Sequence, residues 1–115
     1  MIEKGVMSPQ RQVAVLALSK TGLGTPVLSG LCAKFCTVAK TATGVYEITV
    51  NVQRPFAQLV VGSVLLHQSG VAIKDHAATT KLKIVIKTFA VDGVTAAEKD
   101  FDLVVFGSYA SDLLG

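Results

Sequence analysis

The sequence predicts an all-β fold: an antiparallel, jelly-roll-like β-sandwich of about seven short strands with an N-terminal arm. Three observations carry this reading. Along 43–56 (TGVYEITVNVQRPF), Tyr46, Ile48, Val50 and Val52 fall on one side and Glu47, Thr49, Asn51 and Gln53 on the other, the period-two pattern of a half-buried strand. Short apolar runs recur along the chain with Gly, Pro, Ser and Asp between them, the residues that chain reversals require. No segment reads as a helix long enough to build βαβ units.

The elements follow in order. Residues 1–12 (MIEKGVMSPQRQ) are mixed and contain Pro9, so they read as an arm preceding a single domain over 13–115. Residues 12–19 (QVAVLALS) form a first strand, apolar on both faces. The stretch 21–30 (TGLGTPVLSG) is rich in Gly, Pro, Ser and Thr and reads as a loop. Residues 31–39 fit either a strand or a short helix, and 40–44 a turn into the strand 45–53. Arg54-Pro55 ends that strand, because proline has no amide donor for the ladder. A long apolar strand spans 58–68, with Gly62 a candidate bulge. After the Ser69-Gly70 turn come a short strand at 71–74 and a loop at 75–80 (DHAATT). In 81–89, Leu82, Ile84 and Ile86 share one face, while Lys81, Lys83 and Lys87 share the other. Asp92-Gly93 marks a turn, 96–99 a helical turn, and 100–107 a closing strand with Phe101, Leu103 and Val105 on one face.

At 115 residues, one core forms without metal or disulfide staples. The longest apolar run, 59–66, is far too short for a membrane-spanning helix. The N-terminus shows no basic region followed by an apolar block, which points to cytosolic synthesis and reduced thiols at Cys32 and Cys36. In an extended segment those two would stand about 13 Å apart, too far for a direct bridge. The net charge is +3, with six Lys/Arg against two Glu in residues 1–54 and five Lys against six Asp/Glu in 55–115. That asymmetry permits contact with an acidic surface and falls well short of a nucleic-acid footprint.

Residues able to do chemistry are few. His67 and His76 lack a Cys or carboxylate cluster at ligand spacing, so no metal and no cofactor is expected. Asp100 and Asp102 share an outward face; acid–base work would require a cleft that pushes their pKa values apart. Ser8, Ser29, Ser63, Ser69, Ser108 and Ser111 occupy no nucleophile-elbow setting. TGLGT (21–25) lacks the lysine and following helix of a phosphate loop. The lysine stripe has no interleaved aromatics and reads as a solvated face, or else as an ionic contact with an acidic partner. A non-enzymatic protein is expected.

Apolar surplus is the remaining signal. Strands 12–19 and 58–66 are apolar on both faces, and the outward side of 100–107 turns apolar at Val104 and Phe106. A sandwich of this size has one core, so such strands need a second cover. Either the chain's own loops and arm fold back over them, or they form a subunit interface.

The run from about 43 to 108 resembles a short β-sandwich module of virion proteins in tailed bacteriophages. The resemblance rests on the strand GVYEITVNV followed by Arg-Pro-Phe and an apolar strand, and on FAVDGVTAAEKDFDLVVFGS with its Asp-Phe closing strand and terminal glycine. It implies structural roles for Tyr46, Pro55, Phe56, Phe101 and Gly107. Members of this kind serve as capsid decoration (cement) proteins or as parts of tail fibres. With no shaft, repeat or heptads, this chain fits a stand-alone decoration protein on the capsid exterior, binding the major capsid protein and forming a homo-oligomer (dimer or trimer), with no specific nucleic acid and no membrane. The contacts then expected are Ile2, Val6 and Met7 of the arm, Val104 and Phe106 of the closing strand, and Leu113 and Leu114 of the tail. The alternative is a small tail or fibre-tip protein that binds a host receptor or glycan through loops 21–30 and 75–80. Its lack of Trp and its two Tyr count against sugar binding.

Overall fold

The structure, a computed structural model, describes residues 13–30, 32–52, 56, 58–80 and 82–108. Eight strands form among these residues: β1 (Val13–Thr21), β2 (Val27–Ser29), β3 (Cys36–Ala42), β4 (Val45–Val50), β5 (Gln58–Leu66), β6 (Val71–Lys74), β7 (Lys83–Phe89) and β8 (Phe101–Ser108). They make two four-stranded antiparallel sheets, ordered β2-β1-β8-β5 and β3-β4-β7-β6. The protein is a β-sandwich. The jelly-roll-like connectivity expected from the sequence is not confirmed, since β1–β2, β3–β4 and β6–β7 each pair as sequence neighbours within one sheet.

Alternation decides what fills the space between the sheets. Tyr46, Ile48 and Val50 of β4 point inward and are buried, meeting Ile84 and Ile86 of β7 within their own sheet and Leu16, Leu18, Leu103 and Val105 of the facing one. Each fully buried aliphatic side chain contributes on the order of 1.5–3 kcal/mol. Phe101 stands edge-on to Tyr46, with ring centroids 5.8 Å apart. Phe56 is buried too, and its ring lies against Gly107, where a Cβ would come within 2.6 Å of it. A side chain at 107 would displace that core ring.

The bulge expected at Gly62 is present: the β5–β8 register shifts between Val61 and Ser63. Other expectations are corrected. An eighth strand, β2, lies inside the stretch read as loop, pairing Val27–Ser29 with the end of β1. Residues 33–35 form a single 3-10 turn before β3, so Cys32 and Cys36 flank a turn rather than lying along one strand. β3 runs on to Ala42, through most of the stretch read as a turn. The helical turn expected at 96–99 is absent: Ala96 bridges to Phe89, and the Thr88 hydroxyl donates to the Ala97 carbonyl at 2.6 Å. Leu82 precedes β7 and is exposed, unlike Ile84 and Ile86.

Candidate interaction face

The outer face of the β2-β1-β8-β5 sheet carries the apolar surplus. Cross-strand register aligns Val15, Phe106 and Val60 in one row and Ala17, Val104 and Ser63 in the next. Beyond these, Leu65 stands opposite Asp102. Val15 is 55% exposed, Val60 42%, Leu65 65% and Phe106 39%. The bulge shapes this surface, because the Phe106 ring lies directly over Gly62, where a Cβ would collide with it. The ring therefore rests against backbone, presenting a broad apolar edge.

Val104 and Phe106 thus sit where the sequence placed them, on one outward face, and the fold adds Val15, Ala17, Val60 and Leu65. Ile2, Val6, Met7, Leu113 and Leu114 lie outside the described residues, as do Pro55 and Lys81. The register nevertheless fixes where the chain enters and leaves: Val13 pairs with Ser108, beyond the Phe106 row. Val13 and Ser108 therefore lie side by side, at the end of the face where Phe106 lies.

The opposite outer face has a different chemistry. Lys83 of β7 lies 3.5 Å from the Glu47 carboxylate of β4, and Lys87 lies 3.2 Å from Asp75. The two described members of the lysine stripe are thus paired with acids. Such exposed pairs add only about 0–1 kcal/mol each, but they neutralise charge on this face, which also carries the exposed Ile73 opposite Lys87. Val85 shares this side and is nonetheless buried. The loop after β6 runs beside it, with the Asp75 amide donating to the Val85 carbonyl and the Val85 amide to the Thr79 hydroxyl.

A polar group borders the apolar face. Ser19 donates to Asp102 Oδ1 at 2.6 Å, and His67 Nε2 lies 2.8 Å from the same oxygen. These bonds, that from Ser19 first, hold the Asp102 carboxyl below its ordinary range. Serine, histidine and aspartate are all present, but the carboxylate stands between the other two. The serine hydroxyl points at an acid and not at imidazole, so this arrangement does not activate it as a nucleophile. Ser19 escaped sequence reasoning because one serine at the end of an apolar run carries no motif. Asp100 and Asp102 are engaged separately: Asp100 takes Lys20 and Gln68. Among the described residues no three His, Cys, Asp or Glu side chains gather as metal ligands.

Two further features complete the inventory. Burial, followed by the nearby Cys32, pushes the Cys36 thiol up to about 11, a value that leaves almost no thiolate at neutral pH. At the sandwich end remote from Ser108, Asp92 pins the β7–β8 turn. Its Oδ1 accepts the Val94 and Thr95 amides, both at 2.8 Å, and its Oδ2 accepts the Thr95 hydroxyl at 2.6 Å. Val91 and Val94 are exposed on that turn.

Comparison with protein families, curated proteins and solved structures returns no match.

Proposed function

We propose that this protein is a capsid decoration (cement) protein, which binds the outside of a bacteriophage head and bridges neighbouring major capsid subunits. The observation carrying the reading is the inequality of its two outer faces. One is apolar over three adjacent strands; the other pairs its charges with each other. An additive subunit of a shell needs this division, with one side excluding water against protein and the other remaining soluble. The sequence resemblance adds the virion setting.

The mechanism is a staple. Apolar area buried across a junction contributes roughly 25 cal/mol per Å² before association costs. Repetition over a symmetric lattice, especially by an oligomer, turns modest single contacts into avid attachment. The test is the ratio of this protein to the major shell protein in purified particles, by quantitative mass spectrometry. A ratio within a few-fold of one supports decoration of the head lattice. A handful of copies per particle moves the protein to the tail, where receptor recognition becomes the better reading. Absence from particles overturns both.

A further inference from the structure

Lys20 is the outlier of the core. It is fully buried at the end of β1, where alternation turns it inward beside Phe101. Its ammonium lies 3.9 Å from the centre of the Tyr46 ring and 5.8 Å from that of Phe101. It donates to the Lys99 carbonyl at 2.9 Å and lies 3.3 Å from Asp100 Oδ1. The carboxylate partner is itself held: Gln68 donates to Asp100 Oδ2 at 3.2 Å and accepts the Asp100 amide at 2.8 Å. The Tyr46 hydroxyl completes the surroundings; it is buried without a hydrogen bond, although the Lys99 amide is close by.

We propose that Lys20 and Asp100 join through an intramolecular isopeptide bond. An amine and a carboxyl condense when water is excluded, the pair is held in contact and the amine is neutral for part of the time. Aromatic walls and the complete burial of Lys20 provide the first condition at the amine, beside an Asp100 that is 17% exposed, and the two-point grip of Gln68 provides the second. Burial supplies the third by lowering the lysine pKa, partly opposed by Asp100.

The step balances without an oxidant or cofactor. A proton passes from the Lys20 ammonium to the Asp100 carboxylate, giving amine and carboxylic acid. The Nζ lone pair attacks Cγ. The oxygen facing Gln68 carries the developing negative charge, stabilised by that amide N–H. The other oxygen departs as water, taking the acid proton and one proton from nitrogen. An amide links β1 to the residue preceding β8, tying together positions 80 apart in sequence. This inference does not depend on the partner proposed above.

The experiment is intact mass spectrometry of the purified full chain after prolonged incubation at neutral pH, followed by trypsin mapping. The expected result is a mass one water below that of the sequence, with fragments 12–34 and 100–115 recovered as one joined species. Lys20→Arg should restore the full mass. Asp100→Asn should lose ammonia instead and arrive at the same final mass as the linked wild type. The wild-type measurement stands even if a variant fails to fold. A full wild-type mass overturns the proposal, and so does loss of water without the joined fragments, the signature of a succinimide.

Discussion

Gly62 and Gly107 each lie under an aromatic ring, and the two rings differ in what holds them. The Phe56 ring over Gly107 is buried, whereas the Phe106 ring over Gly62 is at the surface. Gly107→Ala must push into a packed core and should cost about 1–3 kcal/mol, read as a lower denaturation midpoint. Gly62→Ala can lift Phe106 outward and should change stability by roughly 0.5 kcal/mol or less, while altering the shape of the apolar face. Equal losses would show that both rings are fixed. Asp92 gives a second residue-level test. Its carboxyl is pushed down to about 2 by the Thr95 hydroxyl and the Thr95 and Val94 amides. Because the folded value lies below the ordinary 3.8, the contribution is fully present above 3.8 and is lost as pH falls through about 2. The Asp92 carboxyl resonance should therefore titrate near pH 2 in NMR; a midpoint near 3.8 would mean those hydrogen bonds do not persist in solution. Some of this was legible in the sequence. Val104 and Phe106 stood out because Phe101, Leu103 and Val105 fixed the inward side of their strand. Val15, Val60 and Leu65 did not, since a strand apolar on both faces does not reveal which one is covered. Lys20 was invisible as a buried group, because a lysine closing an apolar run looks like a solvated strand end.

Strand β5 shows how an element is specified by more than its pattern. Leu59 and Val61 point inward before the bulge, Val64 and Leu66 after it. The change from odd to even positions is possible only because the register shifts between Val61 and Ser63. Deleting Gly62 would remove the extra residue and leave strict alternation with Leu59, Val61, Val64 and Leu66 still inward. That variant should keep cooperative thermal unfolding with a flatter β5 edge, whereas loss of cooperativity would mean that the bulge itself is needed for the fold. Of the four edge strands, β2 has three residues, β6 has four and Lys74, and β3 carries Lys40. β5 has nine residues and no charge, so its bulge is the chief device against edge-to-edge pairing. The long strands were readable from period two and from the turns bounding them. β2 was not, because three residues after Pro26 are too few to show a period. Nor was the extended course of 96–99, whose conformation comes from Phe89 and Thr88 across the chain rather than from local preference.

For the whole molecule, the difference between the two outer faces makes a paired prediction. Phe106→Glu puts a charge into the apolar face and should abolish attachment to particles lacking this protein, while circular dichroism remains that of the wild type. Lys83→Glu changes charge on the ion-paired face and should leave attachment within about twofold. If the second variant detaches and the first does not, the orientation is reversed.

The pairing of Val13 with Ser108 has a practical consequence. Because Val13 and Ser108 lie on adjacent strands, a short linker could join them in a variant trimmed to 13–108, and new termini could be opened at Asp92-Gly93, at the far end of the sandwich. Exposed turns of this kind commonly accept circular permutation. A cargo fused at Val13 or Ser108 would emerge beside Phe106 and crowd whatever docks there. The same cargo on the permuted chain would point away, which makes the permuted form the better scaffold for display.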